Sequence, residues 1–252
     1  MPTLTIAAAQ SASIAGDLAA NIREHQRFMR AAAEQGVQLL VFPELSLTGY
    51  ERGLAAELAI LPDAAVLQSL RDFAREVGVT TVVGMPIRLS HDSPVLIGAL
   101  VLGADGSLGV YSKQHLHDGE ELAFAPGTGG STLTIGTDTV ALAVCADFSH
   151  ASHAAAAAEQ GADIYAAGVL ITEGGYAPDT SLLQGYAGEH SMVVLMANHG
   201  GVTGGWASAG RSAIWAADGS LIAAAPGAGN LMVMARRDAA GWQGQVIAVT
   251  EE

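Results

Sequence analysis

Two textures take turns along this chain, and their order leaves few architectures open. Short apolar runs that read as buried strands first alternate with segments of helical period. Leu4 to Gln10 reads as a strand. Asp17 to Gln35 carries Leu18, Ile22, Met29 and Ala33 at helical spacing and ends near Gly36. Leu39-Leu40-Val41-Phe42 is a second strand, stopped by Pro43 directly before Glu44. Asp63 to Val77 is a helix closed by Gly78, and Thr80 to Met85 is the next strand. The texture then changes to hairpins. Val95 to Leu102 and Gly109 to Lys113 flank a turn at Ala104-Asp105-Gly106, and Thr132 to Ile135 faces Thr139 to Cys145.

Helix and strand return at Ser152 to Gln160, Ile164 to Ala167, Thr180 to His190 and Met192 to Asn198. A further hairpin spans Ser212 to Ala225 with its turn at Asp218-Gly219, followed by strands at Leu231 to Ala235 and Val246 to Val249. Roughly a dozen strands with few helices require two sheets, each covered by helices on one face. Crossover helices mixed with hairpins require mixed sheets. The predicted fold is therefore α/β, a four-layer α-β-β-α sandwich. No linker, repeat or charge run divides it, so residues 1–252 are expected to form one domain.

A net charge of -14 argues against nucleic acid and anionic membrane partners, since phosphates would be repelled. No apolar run approaches the ~20 residues of a membrane helix. The N-terminus lacks a basic n-region, and one unpaired cysteine suits a reducing compartment, so the cytoplasm is expected.

Lys113 is the only lysine and Cys145 the only cysteine; each, like Glu44, sits where an apolar run meets a polar loop. A compact ammonium can enter a tight pocket and hold a developing negative charge at one point, which a planar guanidinium cannot do in the same space. A lone cysteine leaves packing or thiol chemistry. Each residue alone has a plain structural explanation. Carboxylate, amine and thiol together are the base, oxyanion holder and nucleophile that hydrolysis through a thioester needs.

These residues lie in stretches that resemble the three signatures of the nitrilase, or carbon–nitrogen hydrolase, superfamily. They are Leu39-Leu40-Val41-Phe42-Pro43-Glu44, then Tyr111-Ser112-Lys113 continuing through Gly119-Glu120 to Pro126-Gly127, then Val144-Cys145-Ala146-Asp147. Ala197-Asn198 and Gly210-Arg211-Ser212 extend the likeness along nearly the whole chain. The family fold is the same four-layer sandwich. The resemblance implies Cys145 as nucleophile, Glu44 as the general base and later acid, and Lys113 as oxyanion donor joined by the backbone N–H of Ala146. It matches Glu120, or Glu121 if the register slips by one, to a further glutamate that orients Lys113 and contacts substrate. Ser149 or Ser152 is expected to cap the helix after Cys145, whose thiol would then ionise more readily.

Two departures refine the expectation. Phe148, Ser149 and His150 follow Asp147 where many amidases of the family carry an arginine and an aromatic residue, and Ala146-Asp147 replaces the Trp-Glu of true nitrilases. The sequence thus predicts a hydrolase of a small aliphatic amide or ω-amide, or else of an N-carbamoyl amide. The expected partner is a small-molecule amide, with no cofactor, and the resemblance implies a homodimer. Other readings are a metal-dependent hydrolase built on His115, His117, His150 and His153, a Schiff base on Lys113 with pyridoxal phosphate, and a non-catalytic interaction module. The glycine stretches lack the Gly-Lys-Ser/Thr ending of a phosphate loop.

Overall fold

The computed structural model describes residues 3–250. In chain order its strands are β1 (Leu4–Gln10), β2 (Leu39–Val41), β3 (Thr80–Ile87), β4 (Leu96–Leu102), β5 (Leu108–Ser112), β6 (Leu133–Ile135), β7 (Asp138–Val144), β8 (Ile164–Val169), β9 (Val193–Asn198), β10 (Val202–Thr203), β11 (Trp206–Ala207), β12 (Ala213–Trp215), β13 (Leu221–Ala224), β14 (Leu231–Asp238) and β15 (Gly241–Ala248). Its α-helices are α1 (Leu18–Glu34), α2 (Ala55–Leu58), α3 (Gln68–Val77), α4 (Ala151–Glu159) and α5 (Glu173–His190).

Two large mixed sheets result. One runs β15-β14-β1-β2-β3-β4-β5 and the other β13-β12-β9-β8-β7-β6. In each, three parallel strands (β1-β2-β3 and β7-β8-β9) are flanked by antiparallel neighbours. The period of two along each strand divides its side chains between two cores. Ile6, Ala8, Leu39 and Val41 face Val140, Leu142, Val144 and Ala166 between the sheets. Ala7, Ala9, Leu40 and Val83 turn outward onto Phe28 and Met29 of α1 and Leu70 of α3. Ala141, Ala143, Tyr165 and Ala167 turn outward onto Ala154 of α4 and Leu183 of α5. This is the α-β-β-α sandwich. Among the described residues no helix is long and apolar enough to cross a membrane.

Local signals set most of the ends. The Asp17 side chain accepts from the Ala20 N–H at 2.9 Å and caps α1, an interaction worth about 1 kcal/mol. Gly78, at φ 70°, closes α3 with its N–H on the Ala74 carbonyl. Two expectations are corrected. The expected helix from Thr180 begins at Glu173 and runs through Pro178. Tertiary contacts hold this first stretch: the Arg211 guanidinium lies 3.9 Å over the Tyr176 ring and pairs with Glu173, and the Tyr176 hydroxyl donates to the Arg211 carbonyl at 2.8 Å. The helix from Asp63 starts later, as a 3₁₀ turn at Ala65–Leu67 leading into α3.

Candidate active site

Glu44 and Lys113 come from the seven-stranded sheet, Cys145 from the six-stranded one. Lys113 directly follows β5, Cys145 directly follows β7, and Glu44 lies in the turn after β2. That turn is gripped between the sheets. A Cβ at Gly84 of β3 would sit 2.4 Å from the Leu45 nitrogen, and one at Gly168 of β8 would sit 2.6 Å from the Phe42 carbonyl oxygen. Only glycine allows either approach. Leu45, at φ 53°, and Cys145, at φ 43°, both take left-handed backbone, a conformation that costs a non-glycine residue about 1–3 kcal/mol and clusters at functional sites.

Lys113 is fully buried among carboxylates. Its Nζ donates to Glu44 Oε1 at 2.7 Å and to both Glu120 oxygens at 2.8 Å. Glu120 is further fixed by the Tyr50 hydroxyl at 2.6 Å and the His117 backbone N–H at 2.7 Å. The neighbouring Glu121 is exposed and accepts only from the Gly119 N–H. The structure thus brings Glu44, Lys113, Glu120 and Cys145 together and leaves Glu121 out. Glu44 Oε2 is buried and has no hydrogen-bond partner among the described residues.

Burial raises the Glu44 carboxyl to about 7, with the Lys113 charge pulling the other way. Burial alone would lower Lys113, but Glu44, Cys145 and Glu120 outweigh it and hold the ammonium above its ordinary range. Burial and then the Glu44 charge push the Cys145 thiol up, with Lys113 opposing. This corrects the expected easy ionisation of the thiol. Cys145 starts a 3₁₀ turn, Cys145–Asp147, and α4 begins six residues further on, with His150 and neither serine at its N-cap. The thiol rests protonated. The Ala146 N–H lies at the start of that 3₁₀ turn, where a helical turn has no internal acceptor for it.

Asp147 has a part that sequence reasoning left blank. Its Oδ1 accepts from the backbone N–H groups of Gln114 and His115 at 3.0 and 2.9 Å, and its Oδ2 from the Tyr111 hydroxyl at 2.6 Å and the Val144 N–H at 3.0 Å. One buried carboxylate therefore fastens the loop after Lys113 to the turn of Cys145. Two histidines were also missed. The His199 ring donates from Nε2 to the Glu44 carbonyl at 2.7 Å, and His25 Nε2 meets Ser46 Oγ at 2.9 Å on the other side of the same turn. Burial holds His25 down at about 3 and His199 at about 4, so both rings stay neutral. Neither has a local sequence signal, since both act across distant elements. Asn198 holds the pocket wall: its side chain exchanges two 2.9 Å bonds with the backbone of Ile171.

The four histidines weighed as metal ligands fall in two places. His115 stacks on His150 with centroids 3.8 Å apart, and His153 sits between the hydroxyls of Tyr111 and Tyr165 at 2.8 Å each. His117 is apart from them, on the wall of the Cys145 pocket. Among the described residues no group of three or more His, Cys, Asp or Glu could hold a metal ion. Cys145 opens into a cavity of about 390 Å³, walled by Tyr50, Phe148, Ile171, Asp179 and Trp206, a volume suited to a small molecule.

Comparison with known proteins identifies the family and the fold. The family model described as carbon-nitrogen hydrolase matches residues 5–244. A nitrilase of Pyrococcus abyssi is 34% identical over 152 residues, 58% of this chain and 57% of that protein. An N-carbamoylputrescine amidase of Solanum lycopersicum is 29% identical over 175 residues, 64% of this chain and 56% of that protein. The matched stretch spans less than two thirds of either relative. Among solved structures, a double mutant of the amidase from Nesterenkonia sp. AN1 in complex with acrylamide superposes with a TM-score of 0.85 at 25% identity, covering 95% of this chain and 94% of that one. A mutant of the same amidase has been seen with the acetamide moiety of fluoroacetamide added covalently at its active site cysteine, with a TM-score of 0.83, 26% identity, and 92% and 89% coverage.

Proposed function

This chain belongs to the carbon–nitrogen hydrolase family, and on that premise we propose that it hydrolyses small non-peptide amides through a thioester on Cys145. One observation carries the reading. Lys113 pins one oxygen of Glu44, the other is buried with no partner among the described residues, and Cys145 lines the same cavity as Glu44. A carboxyl raised to about 7 is matched to taking a proton near neutrality and giving it back.

In the proposed cycle the thiol proton moves to Glu44 as the sulfur attacks the carbonyl carbon. The carbonyl electron pair becomes an oxyanion, stabilised by the Lys113 ammonium and the Ala146 N–H. Collapse breaks the C–N bond, with Glu44 passing its proton to the departing nitrogen, which leaves as ammonia. A water then loses its proton to Glu44 and attacks the thioester. The acid departs, and the proton returns to sulfur. Glu120 and Tyr50 hold Lys113 in place throughout.

A second reading, hydrolysis of an N-carbamoyl amine by the same residues, is favoured by the Solanum relative. The products separate the two, since a carbamoyl group yields carbon dioxide as well as ammonia. We further propose that residues 1–252 act as one domain and pair as a homodimer, which light scattering at twice the chain mass would test. An ammonia-release screen across amides, ureides and nitriles tests the chemistry. Turnover of aliphatic amides supports the proposal; release from nitriles alone would overturn it.

A further inference from the structure

The charge lining the Cys145 pocket is unevenly balanced. Asp179 lies on α5 one turn beyond Gly175, and both residues line the cavity. A Cβ at Gly175 would stand 3.1 Å from Asp179 Oδ2. The missing side chain therefore leaves the carboxylate lying along the pocket wall. Asp179 is half-buried, and its carboxylate has no hydrogen bond or ion pair to any described residue. Burial raises its carboxyl, and the field of His117 only partly offsets this. A half-buried carboxylate with no bonded partner is free to pair with a cation from outside the chain.

The arginine on the rim does not complete it. The Arg52 guanidinium stands 5.8 Å from the centre of the Tyr50 ring, against the Gly119 turn, where a Cβ would be 2.9 Å from its Nη1. It lines the same cavity and forms no ion pair with Asp179 among the described residues. Trp206, half exposed on the β10–β11 hairpin, presents an indole to the same cavity. A carboxylate and an aromatic face in one cavity are the chemistry that recognises an ammonium group. The net charge of -14 also draws cations toward the molecule.

We infer that the substrate is a small amide carrying a protonated amine remote from the scissile bond, with Asp179 as its counter-ion and Trp206 as the aromatic face beside it. This rests on the amide-hydrolase reading. The reaction balances as one ammonium-bearing primary amide and one water giving one ammonium-bearing carboxylate and one free ammonium ion. The C–N bond breaks, the water oxygen enters the carboxylate, and the water's two protons end on the released nitrogen. The ammonium at the far end is unchanged.

Three amides of matched size test it: 4-aminobutanamide (cationic), pentanamide (neutral) and succinamate (anionic). The expected result is a kcat/KM for the cation about tenfold or more above the other two, carried mainly by KM. Asp179→Asn should bring the cation-to-neutral ratio close to one, and Asp179→Arg should move the preference to succinamate. Alkylation of Cys145 gives a readout that needs no turnover. The rate with 2-bromoethylammonium relative to iodoacetamide should fall about tenfold in Asp179→Asn. Turnover of pentanamide with no preference for the cation would overturn the inference and leave the amidase reading standing. Loss of all three activities in equal proportion in Asp179→Asn would likewise reduce Asp179 to a structural role. Cation-selective alkylation without turnover of any amide would support the pocket's preference and overturn the amidase reading instead.

Discussion

Asp147 Oδ1 receives the backbone N–H of Gln114 at 3.0 Å, so the residue after the lysine is tied to the residue two beyond the cysteine. These positions are 33 apart in sequence and follow strands of different sheets. One carboxylate, buried from solvent, thereby ties the loop after the ammonium to the turn that carries the thiol.

Asp147→Asn should test that fastening. An amide cannot accept at all four contacts, because its own N–H groups would face a donor. Leaving one buried donor unsatisfied costs roughly 1–3 kcal/mol. The expected result is a folded protein with kcat reduced on the order of 10², since small misplacements of catalytic groups cost rate steeply. Denaturant unfolding alongside steady-state kinetics checks it. Wild-type turnover would show that the two loops hold their places independently.

Lys113→Arg separates charge from geometry at the proposed oxyanion donor. A guanidinium cannot occupy a fully buried site already shaped by Glu44 and Glu120 around a point donor. Turnover should fall by about 10²–10³, as for loss of one oxyanion donor. Iodoacetamide should still modify Cys145 in the variant, and in the wild type that modification should abolish hydrolysis. A fully alkylated wild type that retained activity would end the thioester mechanism.

The pH dependence of stability should carry the mark of three buried groups. Below about pH 6.5 unfolded histidines take up protons that folded His25 and His199, held near 3 and 4, refuse; each therefore weakens the fold by about 1.4 kcal/mol per pH unit as pH falls. Glu44, held near 7, has the opposite sign, because its folded carboxyl binds a proton before the unfolded one does. The three together should lose about 1.4 kcal/mol per unit between pH 6 and 5, and Glu44→Gln should steepen that slope by about the same amount. Urea unfolding at several pH values measures both. Equal slopes in the two proteins would mean that Glu44 is not held up by burial.

Gly168→Ala probes the grip on the base. The added methyl would lie 2.6 Å from the Phe42 carbonyl oxygen, and neither sheet can withdraw. Overpacking of this kind costs about 1–3 kcal/mol. Relief by displacement of the Glu44 turn should lower kcat/KM while leaving the Cys145 alkylation rate within a few-fold. An active, fully stable Gly168→Ala would show that the turn is not confined there.

The sandwich was legible in the sequence because its signals are local. The apolar run of β1, the helical spacing of α1 and the Gly78 stop each act within a few residues. The three motif residues were legible because a lone lysine and a lone cysteine stand out in composition. What stayed hidden depends on distant parts of the chain meeting. The first turn of α5 is held by Arg211, Glu44 by His199, and the lysine loop by Asp147. Pro178 argues for a later helix start, and contacts more than thirty residues away overrule it.

The division of labour between the two sheets makes the chain a natural candidate for splitting. Separated between β5 and β6, the first fragment would hold Glu44 and Lys113 without the proposed nucleophile, and the second would hold Cys145 without the proposed base. Neither piece could make or cleave a thioester, so any activity on mixing them would report reassembly with no background to subtract. The apolar layer shared by the sheets, and the pairing of β14 in the second fragment with β1 in the first, would drive that reunion. Hydrolysis would thus act as a reporter of whether the two halves have docked in register.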